Sequence, residues 1–96
     1  MKKIVIVGAS SGIAIECARI WVKQAPANLV LVVRDLERAK PLVADLLVRS
    51  PESSVEIITC NFIDPSAIRD LVREIAKSGP IDIVLIAQGT LPDQLD

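Results

Sequence analysis

Four short runs of nearly unbroken apolar, largely β-branched residues punctuate the chain, at Met1 to Val7, Leu29 to Val33, Val55 to Cys60 and Ile81 to Ala87. A strand with one wet face alternates apolar and polar residues. A strand covered on both faces reads instead as a continuous apolar run, and such strands belong to parallel sheets with helices on either side. The stretches between the runs must therefore supply those helices.

They carry the expected start and stop signals. A first helix is predicted over Gly12 to Gln24, stopped near Pro26. Asp35 reads as the N-cap of a second, in which Leu42, Val43, Leu46 and Leu47 repeat at helical spacing up to Arg49. Pro41 would delete a backbone hydrogen bond there, which predicts a kink or a late start with Pro41 in the first turn. Asp64-Pro65 offers an N-cap followed by proline at the first helical position, and Ile68, Leu71, Val72 and Ile75 form one apolar face before Gly79-Pro80 ends the helix. The order is β-α-β-α-β-α-β. Right-handed crossovers then give a parallel sheet of strand order 3-2-1-4, the N-terminal half of a Rossmann-type α/β fold. Val5, Val30, Leu31, Ile57, Ile58, Val84 and Leu85 are its predicted interior.

No linker or internal repeat divides residues 1–96, so a single domain is expected. The very apolar fourth strand falls at an edge, a hazard that natural domains rarely leave open. The chain is therefore expected to be the N-terminal portion of something longer, or to pair this edge with another molecule.

Composition removes several alternatives. With 51% apolar residues and 11 Lys+Arg against 12 Asp+Glu, a net charge of −1, the chain is neither disordered nor basic enough for nucleic acid. Uninterrupted apolar runs such as Leu29 to Val33 are far short of the roughly 18 residues a membrane span needs. The Lys2-Lys3 start leads into an apolar run that stops at Gly8, too short for the roughly 7–15 apolar residues of a signal peptide. Cys17 and Cys60 form no CxxC pair and the chain has no histidine, so no metal site is expected and both cysteines read as small buried residues of a reduced, cytoplasmic protein. Trp21 reads as packing.

The junction between the first strand and the first helix, Gly8-Ala9-Ser10-Ser11-Gly12-Ile13-Ala14, carries the chemistry. Glycine at 8 permits a sharp exit from the strand. Glycine at 12 lets a phosphate approach the backbone, and small Ala14 lets the helix sit close to the sheet. Helix N–H groups and the positive end of the helix dipole would face a pyrophosphate, with Ser10 and Ser11 as extra donors.

With these residues in place the chain resembles the short-chain dehydrogenase/reductase family, whose fingerprint is TGxxxGxG. The resemblance spans the whole chain, roughly the first 40% of a typical member. It implies cofactor contacts at Gly8, Ser10, Ser11, Gly12 and Ile13, an adenine site at Cys60-Asn61-Phe62, and a counterpart of the family's NNAG at Ile86-Ala87-Gln88-Gly89. Val7, Ala14, Asn61, Ala87 and Gln88 depart from the pattern; an asparagine amide at 61 retains an oxygen able to accept from an adenine amino group.

The same resemblance places the choice of cofactor at Val33-Arg34. A site for NAD ends its second strand with a carboxylate for the ribose 2′-hydroxyl. Val33 supplies none, and the guanidinium of Arg34 suits a 2′-phosphate, so NADP is expected over NAD. The family's other basic marker, just before the middle glycine, is Ser11 here.

The chain contains no tyrosine. The family's Ser, Tyr and Lys of YxxxK are therefore not in it, no catalytic residue is assigned, and the 96-residue chain alone is expected to show no turnover. Asp35 and Asp64 read as caps and Asp82 as a solvated strand start. The implied function is an NAD(P)-dependent oxidoreductase acting on CH–OH groups, this chain holding the nicotinamide dinucleotide and a carbonyl or alcohol serving as substrate. The alternatives are a stand-alone nucleotide-binding or regulatory module without catalysis, or a non-functional fragment. A homo-oligomer is left open.

Overall fold

A computed structural model describes residues 1–9, 12–77 and 79–87. Strands β1 (Lys2–Val7), β2 (Ala27–Val33), β3 (Ser54–Thr59) and β4 (Ile83–Ile86) alternate with helices α1 (Gly12–Gln24), α2 (Leu36–Arg49) and α3 (Pro65–Lys77). All pairings are parallel and the order is β3-β2-β1-β4. Val5 lies opposite Val30 on one side and Val84 on the other, and Leu31 lies opposite Ile57.

Side chains alternate between the two faces of each strand, which divides the core in two. Ile4, Ile6, Leu29 and Leu31 meet Ala14, Ala18 and Val22 of α1 together with Ala39, Leu42 and Leu46 of α2. Val5, Val30 and Val32 meet Leu71 and Ile75 of α3 from the opposite side. Two helices on one face and one on the other is what right-handed crossovers running outward from β1 and then back across it require. Ala14, Ala18 and Val22, spaced four apart, form the buried stripe of α1.

Several local expectations change. β2 begins two residues earlier than its apolar run and β4 is shorter at both ends, because sheet pairing and not hydropathy sets strand limits. Of the two outcomes expected from Pro41 the late start does not occur: α2 starts at Leu36 with Pro41 inside it. The Asp35 carboxylate accepts the Glu37 N–H at 3.0 Å, and Ala39 and Leu42 are buried. Capping and tertiary burial thus hold the turn that the proline weakens.

Val84, predicted in the interior, is 54% exposed and Ile86 71%. Ile57, Ile58 and Leu85 are half-buried. β4 is an edge strand, and α3 packs over β1 and β2; no described element covers the face of β4 that carries Val84 and Ile86. Cys17 is half-buried and not buried, whereas Cys60 is buried. Trp21 packs against the core at the edge of α1, as expected.

Lys3 is a polar residue in an apolar setting. Only 7% exposed, it donates from Nζ to the carbonyls of Ile75 at 2.7 Å and Gly79 at 3.3 Å. The last carbonyls of a helix lack intrahelical partners and carry the negative end of its dipole, so an ammonium there caps α3. Asp82 is more than a solvated strand start: its Oδ2 accepts the Lys3 N–H at 2.8 Å and its own N–H donates to the Lys3 carbonyl at 2.9 Å, joining β4 to β1.

Candidate functional site

All four strands are parallel, so their C-terminal ends share one rim of the sheet. Val7 lies opposite Val32 and Ile86, and Val33 lies opposite Thr59. Two further hydrogen bonds extend the rim, from Cys60 N–H to the Val33 carbonyl at 2.9 Å and from Ala87 N–H to the Val7 carbonyl at 2.8 Å. Gly8, Arg34, Asn61 and Ala87, distant in sequence, are therefore set side by side.

At the centre of this rim Gly8 has φ of 80°, in the left-handed region that favours glycine. Its N–H donates to the Val32 carbonyl at 2.9 Å and that of Ala9 to the same oxygen at 3.3 Å. Those two donors are thus spent on the turn. Among the described residues, the N–H groups left for an anion are those of the first turn of α1, at Gly12 and Ile13, where no intrahelical partner exists. A Cβ added at Gly12 would meet nothing within 4 Å. The glycine is not demanded by packing of the described chain, which leaves open space at the helix start for a ligand. Ile13 is 72% exposed beside it. Ser10, Ser11, Gln88 and Gly89 lie outside the described residues.

Beyond β2 and β3 a cleft of about 370 Å³ is lined by Arg34, Thr59, Cys60 and Asn61. A second of about 490 Å³ is lined by Arg34, Asp35, Leu36 and Arg38. Arg34 borders both. Asn61 is exposed, but its Oδ1 already accepts the Ile63 N–H at 3.1 Å, so one lone pair of the oxygen expected to meet adenine serves a turn. Phe62 packs against the β1, β2 and α3 core. Burial pushes the Cys60 thiol above its usual range, reinforced by the Asp64 charge, which keeps it a neutral wall of the cleft. Asp64 accepts from the Ser66 N–H and hydroxyl at 3.0 and 2.9 Å, and these bonds hold it below the usual carboxylate range at the start of α3. Thr59 and Arg38 were not singled out from sequence; only the register of β3 and the first turn of α2 bring them to the clefts.

Another hollow, of about 340 Å³, lies at the opposite ends of the strands between Met1, Trp21, Ala27 and Ile83. Ligands of open parallel sheets bind outside the carboxyl ends, so the rim and not this hollow is the candidate site. Among the described residues no group of His, Cys, Asp and Glu could hold a metal ion, and no helix is long and apolar enough to cross a membrane.

A parallel sheet of order 3-2-1-4 with a glycine turn after its first strand, opening onto clefts at the carboxyl rim, defines a Rossmann-type α/β protein. The chain belongs to the short-chain dehydrogenase family, whose sequence model matches residues 2–94. A comparison with curated proteins finds no significant match. Among solved structures it is similar to L-sorbose reductase from Gluconobacter frateurii complexed with NADPH and L-sorbose, with 29% identity and a TM-score of 0.79 over 93% of this chain and 34% of that one. It is also similar to a short-chain dehydrogenase from Sphingobium yanoikuyae in complex with NADPH, at 28% identity and a TM-score of 0.77 over 88% of this chain and 32% of that one. Levodione reductase shares the fold at 23% identity, with a TM-score of 0.77 over 86% of this chain and 32% of that one. The chain thus spans about a third of the length of these structures.

Proposed function

We propose that this chain binds the adenosine and pyrophosphate end of a nicotinamide dinucleotide, with NADP(H) preferred, as the cofactor-holding portion of an oxidoreductase acting on a carbonyl or alcohol. The observation that carries the reading is the convergence on one rim of the Gly8 turn, the open start of α1 at Gly12 and the Arg34 clefts. These residues fit the group. Helix N–H groups at Gly12 and Ile13 would receive the pyrophosphate, Thr59 to Asn61 would wall the adenine, and the Arg34 guanidinium would meet a 2′-phosphate, with Ser10, Ser11, Gln88 and Gly89 assigned to the same site from sequence. The bound nicotinamide would supply hydride chemistry, and this chain would supply binding and orientation. The NADPH complexes among the structural neighbours support the same cofactor. A cytoplasmic setting belongs to the proposal and is supported by the free thiols of Cys17 and Cys60.

Titrating the protein with NADPH and with NADH, in wild type and Arg34→Ala, tests it. Tighter binding of NADPH, with the difference lost on removing Arg34, is expected. Failure of both nucleotides to bind would refute the cofactor reading, and an unchanged preference in Arg34→Ala would refute the role of Arg34.

A further inference from the structure

β4 ends the described sheet with an unguarded edge. Natural edge strands carry a lysine, a proline, a bulge or an inward charge that discourages further pairing. Ile83-Val84-Leu85-Ile86 has no such residue, its register with β1 runs unbroken, and among the described residues no strand lies beyond it. The groups open to pairing follow from the ladder. Ala87 donates its N–H to the Val7 carbonyl, and a parallel ladder draws on alternate residues of a strand. Leu85 therefore turns its N–H and C=O toward β1, while those of Val84 and Ile86 point away from it.

The surface beside this edge is apolar as well. Exposed Val84 and Ile86 lie on the same face of the sheet as Val5 and Val7, under the level of α3. Asp70 and Glu74 border a cleft with Ile58 and Thr59, which identifies the flank of α3 that faces β3. At 3.6 residues per turn Ile68 and Val72 fall on the opposite flank, toward β4, and both are exposed.

A second copy matches the edge by symmetry. In antiparallel pairing, residues whose N–H and C=O both point across the gap form hydrogen-bonded pairs. Setting Val84 opposite the partner's Ile86, and Ile86 opposite the partner's Val84, satisfies every outward group of these residues, with the two-fold axis at Leu85. Their side chains then meet apolar against apolar, and no charge falls opposite a like charge. β3, the other edge, lacks this complementarity. Exposed Glu56 stands in the middle of Ser54–Thr59, so two-fold pairing there brings like carboxylates close together.

We infer that the free edge of β4 is a self-association surface, through which two copies of this chain join antiparallel β4 strands into one continuous sheet. The inference stands independently of the cofactor reading. Antiparallel strands point the two carboxyl rims in opposite directions, so both candidate sites stay open. A four-residue strand with a few exposed side chains falls far short of the roughly 20–30 residues per side of a standard interface, so the dimer is weak and forms at high concentration.

Sedimentation equilibrium of the 96-residue chain from about 10 μM to about 1 mM, combined with amide hydrogen exchange at both limits, tests it. Monomer at the lower limit and dimer at the upper are expected. Protection of the Val84 and Ile86 amides should rise about tenfold between them, while Leu85, already held by β1, changes little. Val84→Pro removes one outward donor without touching the β1 ladder, and proline is tolerated on an edge strand for that reason. It should remain monomeric at the upper limit with an unchanged far-UV circular dichroism spectrum. If Val84→Pro does not fold, Ile86→Lys at an exposed position reads the same loss, by placing a charge in the pairing. A wild type that is monomeric throughout overturns the inference. So does a dimer that persists in either folded variant, or one whose new protection falls outside Val84 and Ile86.

Discussion

Gly8 and Gly12 belong to one loop, yet the structure predicts that replacing each with alanine moves stability in opposite directions. At Gly8 the backbone has φ of 80°, and its N–H and that of Ala9 are tied to the Val32 carbonyl, so the turn cannot relax without breaking its link to β2. Left-handed backbone costs an L-residue about 1–2 kcal/mol, so Gly8→Ala should lose about that much. Gly12 is helical and its new methyl group would meet nothing within 4 Å. There alanine mainly restricts the unfolded chain, worth a gain of about 0.4–1 kcal/mol. For a domain of this size each kcal/mol moves Tm by about 4–8 °C, so the two variants should differ by roughly 6–24 °C. Thermal unfolding followed by far-UV circular dichroism reads this directly. The same Gly12→Ala should weaken dinucleotide binding about tenfold or more despite its added stability, because its methyl group occupies the approach of the pyrophosphate to the helix N–H groups. Both variants shifting the same way in Tm would refute the conformational argument, and full-strength binding by Gly12→Ala would refute the placement of the pyrophosphate.

Two further outcomes probe the scaffold. Lys3→Met keeps the buried stem but removes the ammonium from the Ile75 and Gly79 carbonyls; it should destabilise by about 1–3 kcal/mol in urea unfolding with an unchanged m value, and a change under about 0.5 kcal/mol would show that the cap does not contribute. Asp45 accepts from Arg19 at 2.9 Å and from Arg49 at 3.1 Å, and the Arg19 bond foremost holds its carboxyl below the ordinary 3.8. A depressed folded-state pKa gives stability that is present above the unfolded value and lost as pH falls through the folded one. Asp45→Asn should therefore narrow the gap between unfolding midpoints measured at pH 7 and below pH 3.8, and an equal gap in wild type and variant would refute the linkage.

Much of the rim was legible because its signals are local. Gly8 had to leave the strand sharply, and its φ of 80° is the conformation that this turn needs. The same holds for Asp35 and Asp64, whose carboxylates accept from the N–H groups two residues on. A cap or a tight turn is satisfied within a few residues, so residue type and spacing nearly specify it. Pro41 shows the limit of that locality: it allowed a late helix start, but capping by Asp35 and the burial of Ala39 and Leu42 start α2 at Leu36.

What the sequence alone determined is the alternation of apolar runs with helices, and with it the parallel sheet of order 3-2-1-4, since burial on both faces and right-handed crossovers leave few other arrangements. Only the tertiary structure decided which apolar residues are covered and which charges share a cleft. Leu31 and Val84 are equally apolar, but Leu31 lies in an inner strand under α1 and α2, while Val84 lies on an edge whose α3-side face is open. Lys3 looks like a solvated terminal residue until α3 returns across the sheet and brings its last carbonyls to the ammonium. Arg34 and Asn61, far apart in sequence, come to line one cleft in the same way, through the pairing of β2 with β3. Hydropathy and spacing report what each residue prefers, whereas burial and charge balance depend on neighbours far along the chain, and those are fixed only when the elements pack.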